Sequence, residues 1–217
     1  MIPILSRSSL INSLQSFLIT HELPGASAHE KMAHPVRKAN LIPDPSTVKN
    51  AAVLMVLFEK QPGDFHLIFI RRITTQNGDK HSGQIAFPGG KQDDTDRDLM
   101  YTALREAEEE IGIDLSLIDV LGSLTPIYIN VSHFLVHPYL AYSWQIPDMV
   151  RQEKEIDEII PLPLSAFANP ETRQETQIVI ASGIRLNHVP CFNINGQIIW
   201  GATAMIMNEF LEILDRA

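Results

Sequence analysis

The sequence has little cysteine, an excess of acidic over basic residues, and no long apolar run. Cys191 is the single cysteine, so no disulfide can form within the chain, which suits a reducing compartment. Lys and Arg number 17 against 26 Asp and Glu, giving a net charge of -9. Such a charge argues against extended binding to a nucleic-acid backbone. No apolar stretch is long enough to span a bilayer,. We therefore expect a cytoplasmic protein without a membrane or nucleic-acid partner.

The 217 residues are enough for one sizeable core with an appendage. Residues 1–48 are predicted to be an extension that packs on the main domain, because apolar residues between positions 10 and 18 repeat with helical period,. A signal peptide is the alternative interpretation of this segment. Prolines interrupt the rest of the extension,.

Residues 49–217 are predicted to form the main domain, in which strands are interleaved with few helices. This order favours an α/β protein with helices packed on a mixed sheet. Strands are predicted at 50–60, 65–72, 84–87, 117–129, 134–144, 155–162, 176–181 and 184–198, the last of them split by a turn at Asn195-Gly196,. A tight turn is predicted at 88–90 and a last helix from about residue 202 to residue 217,.

A further helix is predicted from residue 96 to residue 111, with Thr95 as its N-cap and Gly112 as its left-handed stop,. Its last turns read REAEEEI and contain four glutamates. Carboxylates are disfavoured there, because the C-terminal end of a helix carries partial negative charge.

The positions of these glutamates on the helix point to a binding site. At about 100° of rotation per residue, Glu106, Glu109 and Glu110 lie together beside the apolar face, whereas Glu108 points away. A hard divalent cation such as Mg²⁺ or Mn²⁺ binds oxygen ligands and would turn the mutual repulsion of these carboxylates into attraction. A solvated acidic face is the alternative.

The stretch from residue 90 to residue 113 resembles the Nudix box, which reads Gly, five residues, Glu, seven residues, Arg-Glu-apolar-any-Glu-Glu-any-Gly-apolar. Asp96 stands where the first Glu is expected, with one additional residue before Arg105. The other defined positions are matched by Gly90, Arg105, Glu106, Ala107, Glu109, Glu110, Gly112 and Ile113.

This resemblance implies a Nudix fold, an α/β/α sandwich with a mixed β-sheet, and metal-dependent hydrolysis of a nucleoside diphosphate linked to another moiety. Glu106, Glu109 and Glu110 would bind Mg²⁺ or Mn²⁺ together with the Gly90 carbonyl. Glu106 and Glu109 would also act in catalysis, as would Arg105, which would hold the carboxylates in place.

The segment HSGQIAFPGG, residues 81–90, is similar to the coenzyme A pyrophosphatase branch of the family. That resemblance implies cleavage of coenzyme A or its derivatives to 3′,5′-ADP and 4′-phosphopantetheine. Alternatives are ADP-ribose or a dinucleotide as substrate, and a non-catalytic nucleotide sensor. A homodimer is compatible with this class. The predicted phosphate contacts are Arg71, Arg72, Lys80, His81 and Lys91.

An acidic run at residues 153–158 is interpreted as solvated, with one alternative: a Nudix enzyme sometimes draws an additional catalytic acid from a distal loop, and this run contains Glu153, Glu155, Asp157 and Glu158.

Overall fold

The computed structural model describes residues 7–35, 47–73, 83–179 and 183–217. Its helices are α1 (Arg7–Thr20), α2 (Ala26–Glu30), α3 (Leu99–Ile111), α4 (Leu164–Ala168) and α5 (Gly201–Leu214). Its strands are β1 (Lys49–Gln61), β2 (Asp64–Arg72), β3 (Ile85–Ala86), β4 (Gly89–Lys91), β5 (Ile118–Ser123), β6 (Ile127–Ile129), β7 (Phe134–Ser143), β8 (Ile156–Pro163), β9 (Arg173–Val179), β10 (Arg185–Ile194) and β11 (Gln197–Trp200). No helix in these ranges is both long and apolar enough to cross a membrane.

The main sheet is mixed and has β1 at its centre. Its strands follow the order β3-β2-β1-β7-β5, while β4 pairs with β1, β6 with β7 and β8 with β2. β1 and β7 are parallel, and the other pairs are antiparallel. The apolar run of β1 is buried on both faces of the sheet, which explains why it does not alternate with polar residues. Strands β9, β10 and β11 form a second, three-stranded sheet.

Helices cover both faces of the main sheet, as the predicted α/β/α sandwich requires. On one face, Ala103, Ala107 and Ile111 of α3 share a buried cluster with Leu54 of β1 and Ile68 of β2. The other face is covered by α1, α5 and part of the small sheet, which share a larger buried cluster. Among the α-helices that the structure describes, α3 is the one that packs on the first face, and this is the side on which the predicted site lies.

The predicted N-terminal helix is present as α1. It buries Leu10, Leu14 and Phe17 in the larger cluster. Leu18 lies against the backbone of Gly122 in β5, so closely that an ideal Cβ on Gly122 would meet the Leu18 Cβ at 2.9 Å. The extension described in the structure is thus part of the hydrophobic core.

The structure corrects the predicted start of α3. Thr95 was predicted as the N-cap, but its hydroxyl and its backbone N–H both donate to Asp93. The cap is Asp98, whose carboxylate accepts from the Tyr101 N–H at 2.7 Å. The helix therefore begins at Leu99, three residues later than predicted. Gly112 ends it in the left-handed conformation, as predicted,.

One strand prediction and one turn prediction also change. The strand predicted at 117–129 is divided into β5 and β6, because Pro126, which lies between them, has no N–H for the ladder. The predicted turn at 88–90 is largely β4, which pairs with β1.

Candidate active site

The site forms where the last turns of α3 meet β4. The Glu106 carboxylate lies directly over Gly90, so closely that an ideal Cβ on Gly90 would be 2.3 Å from the Glu106 Oε2 atom. One turn later, Glu110 Oε2 accepts from the Gly89 N–H at 2.8 Å. The two glycines therefore permit a contact between helix and strand that a side chain at position 90 would block.

The ladder between β4 and β1 determines where the Gly89 backbone points. Leu54 N–H donates to the Pro88 carbonyl at 2.8 Å, and Gln92 N–H donates to the Asn50 carbonyl at 3.0 Å. Since backbone groups alternate in direction along a strand, Gly90 directs its N–H and carbonyl toward β1. Gly89 directs both of its groups away from β1, toward the side on which Glu110 lies. Its φ of +150° also favours glycine.

Glu110 is the most deeply buried carboxylate of the helix, with its side chain 3% exposed. Its Oε1 atom accepts from Arg72 Nη1 at 3.2 Å. Burial raises the pKa of Glu110 to about 7, with the charges of Glu106 and Glu155 acting in the same direction and the contacts to Gly89 and Arg72 opposing it,. Burial likewise raises the pKa of Glu106, against the influence of Arg105.

Arg105 is held by a carboxylate outside α3. Its Nε and Nη2 atoms donate to the two oxygens of Asp96 at 2.8 and 2.9 Å. Asp96 is buried and also accepts from the Thr102 hydroxyl. The Arg105 guanidinium holds the pKa of Asp96 well below its usual range. The Asp that replaces the first Glu of the box therefore serves to position the arginine.

From this position Arg105 contacts two of the predicted site glutamates. Its Nη1 atom is 2.9 Å from Glu106 Oε1 and 3.1 Å from Glu109 Oε2. The Glu109 side chain is 58% exposed, so it lies at the rim of the cluster. Glu108 is exposed, and its carbonyl accepts from Gly112 N–H at the end of the helix.

The structure brings a further carboxylate to the cluster from the acidic run. Gln152 N–H donates to the Glu110 carbonyl at 2.9 Å, and Ile73 N–H donates to the Glu155 carbonyl at 2.9 Å. These bonds place Glu155 between the end of β2 and the end of α3, where its charge raises the pKa of both Glu106 and Glu110. Glu158 of the same run instead pairs with Arg71.

The predicted phosphate contacts separate into different environments. Arg72 faces the carboxylate cluster, whereas Arg71 points to the other face of β2 and pairs with Glu158 at 3.3 Å and with Gln197,. Lys91 is exposed at the end of β4, and its carbonyl accepts from Arg105. Lys80 and His81 lie outside the described residues.

The donor chemistry of this cluster fits a hard divalent cation, since carboxylate and carbonyl oxygens are the ligands that Mg²⁺ and Mn²⁺ prefer. The described residues contain no group of three or more acidic, His or Cys side chains already spaced around a cation. The reason is visible in the contacts, because Arg105 binds Glu106 and Glu109 while Arg72 binds Glu110. The residues therefore fit a divalent cation, and in this structure Arg72 and Arg105 supply positive charge to the carboxylates that would bind it.

Comparisons with known proteins agree with this geometry. The NUDIX domain family model matches residues 48–181. Nudix hydrolase 22, chloroplastic, of Arabidopsis thaliana is 31% identical over 185 residues, which cover 83% of this chain and 60% of that protein. Mitochondrial coenzyme A diphosphatase NUDT8 of Homo sapiens is 33% identical over 167 residues, covering 76% of this chain and 69% of that protein.

The chain spans about three fifths of the length of the Arabidopsis relatives Nudix hydrolase 22 and Nudix hydrolase 15. Among solved structures, the C. elegans Ap4A hydrolase binary complex superposes with a TM-score of 0.52 at 16% identity, covering 78% of this chain and 100% of that one. At this identity the likeness concerns the fold. The family match extends over more than half of the chain, and the box predicted at residues 90–113 lies within it: the chain belongs to the Nudix family.

Proposed function

We propose that this protein hydrolyses the diphosphate of coenzyme A or its derivatives, yielding 3′,5′-ADP and 4′-phosphopantetheine. The observation that carries the chemistry is a pair of carboxylates, the partly buried Glu106 and the buried Glu110, held against the Gly89–Gly90 backbone. Buried carboxylates gathered on one backbone site are typical of hydrolases that use divalent cations, and Nudix hydrolases generally use such ions,.

The cation would be held by Glu106 and Glu110, with Glu109 at the rim. The sequence predicts the Gly90 carbonyl as a further ligand, whereas the ladder register favours that of Gly89, which points away from β1,. When bound, Mg²⁺ or Mn²⁺ would neutralise charge on the diphosphate oxygens and favour ionisation of an attacking water.

The other residues of the site would position these ligands and accept a proton. Arg105, fixed by Asp96, keeps Glu106 and Glu109 oriented toward the same space. Glu109 is exposed enough to hold a water molecule, and Glu155 offers a second carboxylate nearby. The pH dependence of turnover for Glu109→Gln and Glu155→Gln separates them, because loss of the base abolishes the acidic limb of the profile.

The diphosphate would be bound by cations around the cluster. Arg72, which lies outside α3, contacts the site residue Glu110. Lys91 is exposed beside Gly90. Arg71, Lys80 and His81 stay predictions for phosphate binding. We expect replacement of a basic residue that contacts the diphosphate to raise KM, because charge-assisted bonds to phosphate are strong.

Coenzyme A is favoured as substrate by two similarities in sequence. The relative NUDT8, named a coenzyme A diphosphatase, is 33% identical, and residues 81–90 resemble the branch that acts on coenzyme A. The test is product analysis after incubation of the purified protein with coenzyme A, ADP-ribose or a dinucleotide and Mg²⁺ or Mn²⁺. Turnover of ADP-ribose with coenzyme A untouched at millimolar concentration would overturn the substrate assignment.

The same assay tests the sensor alternative, because a sensor would bind nucleotide without divalent-dependent turnover. The homodimer and the cytoplasmic location remain predictions, to be tested by light scattering of the purified protein and by cell fractionation.

A further inference from the structure

The two arginines that balance the site glutamates are held very differently. Arg105 forms a fork on Asp96, with two bonds of 2.8 and 2.9 Å, and its side chain is 20% exposed. Arg72 makes one side-chain contact in the described structure, to Glu110 Oε1 at 3.2 Å, and its side chain is 31% exposed. Arg105 is therefore fixed, whereas Arg72 can leave Glu110 by breaking a single bond.

Arg72 also occupies the oxygen that an incoming cation would need. Glu110 Oε2 is bound by the Gly89 N–H at 2.8 Å, and that donor belongs to a backbone fixed in the β4–β1 ladder. Oε1 faces the guanidinium of Arg72. A divalent cation that approaches Glu110 from this side meets a positive charge already in place, and the two compete for the same carboxylate.

We propose that Arg72 is an internal counter-ion of Glu110 that a divalent cation displaces, and that the released guanidinium then binds the diphosphate of the substrate. The inference rests on the proposed function. It assigns Arg72 two successive partners, first Glu110 and then the diphosphate of the substrate. While the metal is absent, Arg72 limits the charge repulsion around a carboxylate that is almost fully buried. Once the metal is bound, Arg72 remains at the end of β2, beside the cluster where the phosphates arrive.

This exchange has consequences that a purely structural role would not produce. Replacing Arg72 with Gln removes the competing charge, so metal should bind more tightly to the substrate-free protein. The same replacement removes a phosphate contact, so KM for the diphosphate substrate should rise. A residue that merely holds the site together would weaken metal binding when it is replaced. Tighter metal binding together with a higher KM in Arg72→Gln is therefore the result that displacement predicts.

The neighbouring residue provides a matched control. Arg71 lies on the same strand and has the same side chain, but it faces the other side of the sheet and pairs with Glu158 at 3.3 Å. Arg71→Gln removes one positive charge from nearly the same place in the sequence without touching Glu110. It should leave the metal affinity within twofold of the wild-type value.

The experiment is a titration of Mn²⁺ into the substrate-free, full-length protein, with free Mn²⁺ followed by electron paramagnetic resonance at constant ionic strength. We expect the Kd of Arg72→Gln to fall about tenfold, equivalent to about 1.4 kcal/mol. Arg72→Lys, which keeps the charge, should lie between Gln and wild type. KM measured with the substrate that the wild-type protein turns over should rise in Arg72→Gln.

The outcomes separate the two proposals. If wild-type protein binds Mn²⁺ and turns over a diphosphate but Arg72→Gln binds Mn²⁺ no more tightly, displacement is wrong and the proposed function stands. If wild-type protein binds Mn²⁺ but turns over no diphosphate, the proposed function fails, and the Mn²⁺ affinities of the variants still decide displacement. Should Arg72→Gln not fold, the Arg72→Lys protein decides, since an unchanged or weaker Mn²⁺ affinity in that variant contradicts displacement.

Discussion

At the scale of single residues, neighbouring glutamates of α3 have unlike surroundings. Glu106 lies over Gly90 and Glu110 is buried against Gly89, whereas Glu108 is exposed. We expect Glu106→Gln and Glu110→Gln each to lower kcat roughly 100-fold or more, because each removes a charge from the proposed metal site. Glu108→Gln should stay within a few-fold of wild type in the same steady-state assay. Equal losses in Glu108→Gln and Glu106→Gln would contradict the site.

Glu110 also predicts a pH dependence of stability in the metal-free protein. Its pKa of about 7 in the folded state lies above the ordinary value of 4.5. The folded state therefore binds the proton more tightly, and the stability that protonated Glu110 contributes is lost as pH rises from about 4.5 through 7.

Glu110→Gln imitates the protonated form, so its stabilising effect should grow with pH. In chelator-treated protein, it should raise the free energy of unfolding by roughly 1–3 kcal/mol at pH 8 and by much less at pH 5.5. Urea unfolding at the two pH values measures this. A difference between variant and wild type that does not change with pH would show that the pKa of Glu110 is not raised in the folded protein.

The sequence predicts part of this residue-scale picture. Helical rotation alone separates Glu108 from Glu106, Glu109 and Glu110, because that geometry is local to α3. It does not predict that Asp96 binds Arg105, since Asp96 lies before α3, in a loop that has no regular period. Nor does it select Glu155 from the acidic run, because that choice depends on backbone bonds from Gln152 to Glu110 and from Ile73 to Glu155.

At the scale of elements, the site depends on how closely β4 and α3 approach. The strands rich in apolar residues, β1, β2 and β7, are predicted nearly to their observed bounds, because burial demands long apolar runs. β4 is not predicted, since two of its three residues are glycines and carry no side chain that could alternate between faces. The element that shapes the site is therefore the one with the weakest sequence signal.

A methyl group at position 90 should test this approach directly. In Gly90→Ala the Cβ would meet the Glu106 carboxylate, whose Oε2, Cδ and Oε1 atoms lie 2.3, 2.4 and 2.7 Å from the ideal Cβ position. We expect kcat to fall at least about tenfold, because a misplacement of about 1 Å can cost a catalytic site that much or more. Circular dichroism should show an intact fold, since the clash is with the end of one side chain.

A partial rescue would identify the clash as the cause. Glu106→Asp shortens the carboxylate by one methylene and withdraws it from position 90. Adding Gly90→Ala to Glu106→Asp should therefore lower kcat less than adding it to the wild-type protein. If the two losses are equal, the effect of Gly90→Ala arises elsewhere.

At the scale of the whole molecule, one buried carboxylate joins the extension to the last helix. Glu209 of α5 is 0% exposed. Its two oxygens accept from the Gly25 N–H at 3.0 Å and from the Thr125 hydroxyl and N–H at 2.6 and 3.2 Å, and Oε2 lies 3.0 Å from His29 Nε2. The partners come from the extension and from the β5–β6 connection, so Glu209 connects three separate parts of the chain.

Removal of this carboxylate should destabilise the whole protein. We expect Glu209→Ala to lower the free energy of unfolding by roughly 3–5 kcal/mol, because it leaves buried donors without an acceptor. Glu212→Ala, one turn later on the same helix, should lower it by less than about 1 kcal/mol, since its ion pair with Lys31 involves a lysine that is 61% exposed,. Chemical denaturation of both variants checks the contrast, and equal effects would contradict it.

The same carboxylate also has a consequence for the order of events during synthesis. Gly25 and Glu209 are 184 positions apart, so their bond cannot form while α5 is still unmade. The central ladder between β1 and β7 needs only residues up to Ser143. A ribosome that has released β7 therefore carries a chain able to build the centre of its sheet and to pack α1 on β5, while α2 waits for α5. Although α2 precedes the whole sheet in the chain, its bonds to Glu209 are thus completed only after α5 has been made.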